Sequence, residues 1–506
     1  MPDPVPELLK AKGPMLASAV ARLLVEGGVS PAAARQRVSR AASRGQVHRH
    51  RGLNLPNRDS FLWAPGQKND AEFWEGLARA LRSKNSIHAI AADALAARGG
   101  IVREEDFNRF SGAPRKLTKQ VSAGRVREGL TAVGALHQIA EPDGAVRLLL
   151  HHDWPGFYLD GDGAARGRDL AERVVIDGTG EWLRRTGLGA FNLVKTDSSP
   201  GGAEFGHFDW ALTAPSYVVP IGRPGDDKNR KTGFVTVDVL LGDDLTDRHI
   251  AFFLRKVSVL RNLSNTPPFL AVLVAGGYDR SALQAGQRAG VLLLTPDHLF
   301  GGGTGAALRE LVKTLTNAGA VAAKNPDKLA QLLGTLSKIE GAAESLRGPL
   351  FELLTAHLAK KLHGGGVEVR EPVNLPDGRQ TDVDVLCKLG RTDVWLIECK
   401  TVSPGKAVDD DLVKKWVFEQ IPLLRAWLDM RPDLREQKHH FEFWTSGELS
   451  ADALTLLTAA AGAKKYAVGW KDGAAVEAAL ADTRNAPLRK VFREQFRKHP
   501  LNRLTD

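Results

Sequence analysis

The spacing of apolar positions changes along this chain. Over about the first 155 residues apolar side chains recur at intervals of three and four, as in amphipathic helices, with short alternating stretches after them. Beyond that point, short apolar runs that predict buried strands alternate with helical patterns. We therefore expect a multidomain protein in which helical modules precede α/β domains, each with a mixed central sheet flanked by helices.

Residues 1–66 have the pattern of a winged helix-turn-helix. An amphipathic helix at Met15–Glu26 ends at two glycines, and Ser30-Pro31 then begins a second helix at Ala32–Ser43. Short strands within Leu53–Leu62 would form the wing. Helix, turn, arginine-rich helix and hairpin is the order found in this DNA-binding module.

Residues 67–155 repeat this plan less clearly. Four helices are expected before a β-hairpin at Gly134–Leu150 that turns at Pro142-Asp143-Gly144. The expected helices are Phe73–Ser83, Ser86–Ala97, one that begins at Glu104-Glu105-Asp106-Phe107, and Ser122–Val133. A second winged-helix-like domain is the prediction for this segment.

Two later segments echo each other. The strands Phe269–Ala275 and Phe441–Ser446 are each followed by a helix and then by a further strand. This echo predicts two copies of one α/β unit, at 156–305 and 346–506. The polar, helix-rich residues 306–345 would link them.

The net charge of +10 is unevenly distributed. Residues 1–150 hold 23 Lys and Arg against 14 Asp and Glu, whereas the other 356 residues hold 46 against 45. A basic excess in one part of the chain favours a nucleic-acid-binding surface there. The arginines proposed to contact DNA occur where no acid lies between Glu26 and Asp59, and they are Arg35, Arg37, Arg40, Arg44, Arg49 and Arg51. A solvated basic face, or a winged helix that binds protein, is the alternative.

Composition limits the other classes of function. No apolar run approaches 18 residues, and the first residues lack the pattern of a signal peptide, so we expect no membrane segment and a cytoplasmic protein. The two cysteines, Cys387 and Cys399, fall in predicted buried strands and are expected to be reduced. The clustered histidines lack paired cysteines, which makes zinc improbable, and neither glycine-rich loop has the Gly-Lys-Ser/Thr of an ATPase.

Three charged residues near the end of the chain require an explanation. Asp384 lies inside an apolar strand, and Glu398 and Lys400 end the next one. Because strand residues alternate in direction, Glu398 and Lys400 should project from one face, with Ile397 and Cys399 on the other. Buried charge is costly unless it is paired or bound to metal. A divalent cation acting on a phosphodiester would supply the reason.

This arrangement resembles the PD-(D/E)XK, or restriction-endonuclease-like, nuclease superfamily, over roughly residues 346–500. The resemblance implies that Asp384 and Glu398 bind Mg²⁺ or Mn²⁺, together with the backbone carbonyl of Cys399. It implies that Lys400 orients or deprotonates the attacking water, and that Glu352, on the preceding helix, is the additional acid near the metals. Hydrolysis would leave a 5′-phosphate.

Each of these residues has a less specific interpretation. Asp384 could cap a turn or pair with Arg379, Glu398 and Lys400 could be an exposed cross-strand pair at a sheet edge, and Glu352 could be solvated. Asp382 alternates onto the same face as Asp384 and could assist it.

The middle α/β segment lacks the complete pattern. Asp209 and Asp238 could match the two acids, but Leu240 occupies the position that a lysine would need. Lys256, on the following helix, could substitute only from a different position. An inactive nuclease-like domain is the favoured prediction, and an unrelated α/β domain is the alternative.

Taken together, these features predict a Mg²⁺-dependent DNA endonuclease with winged-helix binding of duplex DNA. The combination resembles bacterial restriction or anti-phage defence effectors. A homodimer is expected because two sites are needed to cut both strands. A DNA-binding regulator with an architectural nuclease fold is one alternative, and a ribonuclease activated by a partner or ligand is another.

Overall fold

A computed structural model describes residues 4–50, 53, 55, 59–140, 146–157, 162–218, 232–316, 334–336, 339, 343–403, 405–463 and 465–497. The chain forms two compact units. The first unit comprises Met1–Ile139, Val146–Asp160 and Leu183–Thr295, and the second comprises Ala140–Ala145, Gly161–Trp182 and Pro296–Asp506. Both units combine helices with sheets, so the protein belongs to the mixed α/β class.

The first unit begins with three helices and a small antiparallel sheet. The elements are α1 (Pro4–Lys12), β1 (Met15–Leu16), α2 (Ala17–Glu26), α3 (Pro31–Ser43), β2 (His48–His50) and β3 (Phe61–Trp63). The strands are ordered β1-β3-β2. The hydroxyl of Ser30 accepts a hydrogen bond from the amide of Ala33, which caps α3 as its sequence predicts. Ala34, Val38 and Ala41 form the buried face of α3.

A second module follows with a similar arrangement and one additional helix. Its elements are α4 (Ala71–Ser83), α5 (Ile87–Ala97), β4 (Ile101–Arg103), α6 (Phe107–Phe110), α7 (Ala123–Val133), β5 (Leu136–Ala140) and β6 (Val146–Leu150). The sheet order, β4-β6-β5, again places the last strand in the middle. The predicted turn at Pro142-Asp143-Gly144 lies outside the described residues.

The long helix α8 (Asp162–Arg185) belongs largely to the second unit, and the chain then forms a five-stranded sheet in the first unit. The elements are β7 (Lys195–Thr196), β8 (Glu204–Phe205), β9 (Phe208–Asp209), β10 (Leu212–Ser216), β11 (Gly233–Leu240), α9 (Ala251–Arg261), β12 (Phe269–Ala275), α10 (Arg280–Ala289) and β13 (Leu292–Leu294). The order is β7-β10-β11-β12-β13, antiparallel across the first two contacts and parallel across the last two.

The second unit contains another five-stranded sheet. Its elements are α11 (Pro296–Phe300), α12 (Thr304–Thr316), α13 (Ala343–His363), β14 (Gly366–Asn374), β15 (Gln380–Leu389), β16 (Asp393–Lys400), β17 (Ala407–Val408), α14 (Asp410–Lys415), α15 (Ile421–Met430), β18 (Lys438–Thr445), β19 (Glu448–Leu449), α16 (Ala451–Gly462), β20 (Ala467–Lys471), α17 (Gly473–Asp482) and α18 (Ala486–Phe492). The order is β14-β15-β16-β18-β20, with β17 and β19 forming a separate parallel pair.

The two five-stranded sheets share one topology. In each, the first three strands are antiparallel neighbours, and the last two join in parallel through helical crossovers. A long helix precedes each sheet in the chain. The helical crossovers are needed where neighbouring strands are parallel, because a tight turn joins only antiparallel strands.

One predicted helix is interrupted. The segment expected to be continuous from Asp410 to Leu428 consists of α14 and α15, joined by a π-helical turn at Trp416–Gln420. Pro422 lies in the first turn of α15 and has no amide hydrogen for the preceding turn. The altered hydrogen bonding there follows from this missing donor.

Within the described ranges, none of the helices combines the length and the apolar character needed to cross a bilayer.

Candidate functional site

The site lies where two central strands of the second sheet separate. The pairing of β15 with β16 runs from Leu389 and Asp393 to Val385 and Ile397, and there the ladder stops. In the same register the next residues are Asp384 and Glu398. Both acids therefore lie where the two strands separate, which is the fork between β15 and β16. A carboxylate oxygen of Asp384 instead accepts a hydrogen bond from the amide of Cys399 at 2.7 Å.

Glu398 and Lys400 form a close ion pair at this fork. The Lys400 Nζ lies 2.5 Å from a Glu398 carboxylate oxygen, and their side chains are 33% and 6% exposed, respectively. Strand β16 lies in the middle of the sheet, and its pairing with β18 extends to Lys400 and Thr445. The alternative of an exposed pair at a sheet edge is therefore wrong for these residues. Cys399, as predicted, is buried.

The electrostatics of the fork disfavour two ionised acids. Burial raises the pKa of Asp384 well above its ordinary value, and the charges of Glu398 and Glu352 raise it further. Burial likewise raises the pKa of Glu398, although Lys400 acts in the opposite direction. Burial would lower the pKa of Lys400, but the charges of Glu398 and Asp384 outweigh it and raise that pKa. The acids therefore favour a nearby cation.

Glu352 lies close to these acids but is held by an arginine that the sequence analysis missed. The Nε of Arg370, on β14, donates to one carboxylate oxygen of Glu352 at 2.6 Å, and its Nη2 donates to the other at 3.0 Å. Both oxygens of Glu352 are thus engaged, so the solvated-helix alternative is wrong. Only the pairing of β14 with β15 brings Arg370 to this location, and residue spacing does not reveal that register.

The donor set fits a hard divalent cation. Asp384 and Glu398 offer carboxylate oxygens, which are the ligands that Mg²⁺ and Mn²⁺ prefer, and the Cys399 carbonyl directly follows Glu398 in the chain. The alternative partner for Asp384 is excluded, because Arg379 pairs with Asp377 at 2.7 Å.

The equivalent fork of the first unit, between β10 and β11, is filled by buried side chains. Pairing of β10 with β11 ends at Leu212 and Val237, so the register places Ala211 where the second sheet has Asp384. Asp238 takes the position of Glu398, and Leu240 that of Lys400. The amide of Ala211 donates to Asp238 at 3.2 Å, which repeats the bond from Cys399 to Asp384 with the strands exchanged.

Lys256 supplies the missing ammonium from α9. Its Nζ lies 2.7 Å from Asp238, donates to the Asp209 carbonyl at 2.7 Å and sits over the Trp210 ring. The side chains of Asp238 and Lys256 are both 0% exposed, whereas Lys400 is 33% exposed. Asp209 is itself paired with Arg115. This fork therefore holds a fully buried internal ion pair.

The N-terminal arginines separate into two groups. Arg35, Arg37, Arg40 and Arg44 are exposed on α3 or at its end, and the spacing of the last three places them on one face. Arg49, on β2, is partly buried, and Arg51 lies outside the described residues.

A histidine group lies elsewhere in the first unit. Ligand atoms of His151, His152 and Asp153 lie within 4.8 Å of one another, and the His151 ring stacks on Trp74. The sequence prediction of no zinc at these histidines stays a prediction.

Comparison with protein-family models, curated proteins and solved structures finds no match for this chain. A function is therefore inferred from the geometry of the chain itself.

Replacing Asp384 with asparagine should stabilise the metal-free protein at pH 8. The pKa of Asp384 is raised in the folded protein, because burial disfavours the ionised carboxylate. The contribution of Asp384 to stability is therefore complete below about pH 4, where the acid is protonated, and is lost as the pH rises through the folded-state pKa. Asparagine can still accept the Cys399 amide bond. We expect a higher unfolding midpoint than wild type at pH 8 in chelator and no increase near pH 4.

The matched control is Asp377→Asn, an exposed acid whose pKa is lowered by its hydrogen bond from Arg379. That variant should gain nothing at pH 8. A lower midpoint for Asp384→Asn than for wild type at pH 8 would contradict the prediction.

Removing Lys256 should destabilise the first unit, because Asp238 would remain as a buried unpaired charge. Lys256→Met should lower the free energy of unfolding by about 3–5 kcal/mol, measured by chemical denaturation. The double variant Lys256→Met, Asp238→Leu should recover much of the loss, since it removes both charges. Arg125→Met is the control, because its pair with Glu128 is exposed and contributes roughly 0–1 kcal/mol. Equal losses in the single and double variants would refute the account.

Proposed function

We propose that this protein is a divalent-metal-dependent DNA endonuclease with a PD-(D/E)XK-type domain in its second unit. The observation that carries the proposal is the convergence of Asp384, Glu398 and Lys400 at a fork in the middle of a sheet. Asp384 is distant in sequence from Glu398 and Lys400, and the strand register brings it to them. Solvated charges would need no such placement.

The reaction would be hydrolysis of a phosphodiester bond. Water attacks phosphorus, the bond from phosphorus to O3′ breaks, and the products are a 5′-phosphate and a 3′-hydroxyl. Mg²⁺ or Mn²⁺ held by Asp384, Glu398 and the Cys399 carbonyl would lower the pKa of the attacking water and neutralise the phosphate.

Lys400 would act as a charged donor. Glu398 raises the pKa of Lys400 against the effect of burial, so its ammonium keeps its protons at neutral pH. It can therefore orient the water and stabilise the charge that develops on phosphate oxygens. Deprotonating the water is the weaker of its two expected roles.

The first unit would bind the duplex. Both N-terminal modules have their last strand in the middle of a three-stranded sheet, which supports a winged-helix interpretation, and α3 presents Arg37, Arg40 and Arg44 on one face. Phosphate contacts from such arginines provide affinity without sequence preference. The filled fork at Asp238 and Lys256 supports a non-catalytic role for the middle sheet.

A restriction or anti-phage defence role and a homodimer complete the proposal, whereas an activating partner or ligand belongs to the ribonuclease alternative. A homodimer would supply the two sites that cutting both strands requires.

Plasmid cleavage tests the reaction. With Mg²⁺ or Mn²⁺, we expect Asp384→Ala and Lys400→Ala to lower the cleavage rate by about 100-fold or more, because each removes charge stabilisation from the transition state. Asp377→Ala, which changes an exposed acid of the same domain, should cleave like wild type. Single-stranded RNA serves as a parallel substrate, and preferential cutting of RNA would favour the ribonuclease alternative. No cleavage of DNA or RNA would overturn the enzyme assignment.

DNA binding should depend on α3. Changing Arg37, Arg40 and Arg44 together to alanine should weaken duplex binding and reduce the slope of log affinity against log salt by up to about 3, since each phosphate contact contributes about 0.9. Fluorescence anisotropy over a salt series measures both. Arg280→Ala with Arg288→Ala, exposed on α10, is the control. An unchanged slope for the α3 variant would place DNA binding elsewhere.

A further inference from the structure

Arg370 has an unusual backbone conformation. Its φ is +55°, in the left-handed region that residues with a side chain rarely occupy. It lies on β14 between the pairs Val369 with Val385 and Glu371 with Val383, where the register places it opposite Asp384 and no pair forms. Glycine would adopt this conformation without strain but would bring no guanidinium. Strain of this kind is concentrated at functional sites.

One edge of the Arg370 guanidinium is held by hydrogen bonds, and another edge is available to a ligand. Its Nε and Nη2 donate to the two carboxylate oxygens of Glu352. Its Nη1 makes no hydrogen bond to any described residue, and the side chain is 36% exposed, against 10% for Glu352. A guanidinium has five donor hydrogens in one plane, so this anchoring leaves donors for a ligand.

The charge of Arg370 suits an anion. Burial would lower its pKa, but the hydrogen bonds and charge of Glu352, followed by the charges of Asp384 and Asp382, raise it. Arg370 therefore stays charged beside the fork. Because Glu352 already neutralises much of that charge, Asp384 and Glu398 remain the acids that can hold a cation.

We propose that Arg370 is a substrate-binding residue whose Nη1 donates to a non-bridging oxygen of the DNA phosphate at the fork, and that Glu352 is the positioning residue that holds its guanidinium. This role rests on the proposed endonuclease function and deepens it. It also revises the role of Glu352 implied by the resemblance, from an acid beside the metals to the holder of a phosphate-binding arginine.

Arginine is suited to this task because it binds phosphate with directed, charge-assisted hydrogen bonds. Lysine would retain the charge but could not span both oxygens of Glu352 while offering a planar donor to the substrate. The conservative variant Arg370→Lys should therefore be intermediate between wild type and Arg370→Met.

Binding of thymidine 3′,5′-bisphosphate, measured by calorimetry in Ca²⁺, tests the proposal without any need for turnover. We expect Arg370→Met to weaken binding by about 10- to 100-fold, the effect of one hydrogen bond to a charged group. Arg431→Met is the matched control, because Arg431 is 33% exposed and pairs with Glu371, the next residue along β14. It should bind the bisphosphate like wild type.

The variant Arg370→Met leaves Glu352 buried and unpaired, so a second variant separates binding from folding. Arg370→Met with Glu352→Gln removes both charges. If the arginine binds phosphate, the double variant regains thermal stability but not affinity. If affinity returns with stability, the role of Arg370 is structural and the proposal is overturned. Glu352→Gln alone should weaken binding less than Arg370→Met, and without a matching loss of stability.

Plasmid cleavage by the same variants separates this proposal from the proposed function. Cleavage by wild type, with Arg370→Met unchanged in both bisphosphate affinity and rate, would overturn the role of Arg370 and leave the endonuclease standing. Absence of cleavage, with affinity lost in Arg370→Met, would support the phosphate site and overturn the endonuclease. Faster cleavage by Arg370→Met would show that the arginine competes with the metal, and would also overturn the proposal.

Discussion

The second unit is organised around two carboxylates brought together where β15 and β16 separate. Asp384 and Glu398 would repel each other in a poorly solvated position, and the pKa of each is raised by burial. Lys400 and Arg370 offset part of this charge, yet each has a carboxylate partner of its own. The cluster is therefore left short of positive charge, and a divalent cation is the ligand that would complete it.

The first unit shows the equivalent fork stabilised by a fully buried ion pair. Asp238 lies in the position of Glu398, and the ammonium of Lys256 reaches it from a helix instead of from the strand. Both side chains are fully buried. One charge of each sign offsets the other in this buried pair. The two forks therefore differ in composition and exposure, because the second has both Asp384 and Glu398 beside a partly exposed Lys400.

The sequence predicted those parts of the site that local patterns specify. Alternation and apolar flanks indicated Asp384, Glu398 and Lys400, and serine caps and glycine stops placed several helices closely. Arg370 was missed, because its role depends on the register of β14 with β15 and on a positive φ that no local pattern signals. Lys256 was considered but could not be placed, since its contact with Asp238 joins a helix to a strand across tertiary structure.

Repeated strand orders account for much of the described chain. Two modules share the strand order 1-3-2, and two sheets share a five-strand order, yet within each pair the charged residues differ. A duplicated fold retains its core while its polar positions diverge, because packing constrains apolar residues more strongly than exposed ones. The exposed α3 arginines on one module and the accessible Lys400 at one fork are such differences. Arg370, with its positive φ, is a further difference and lies in the same unit as Lys400.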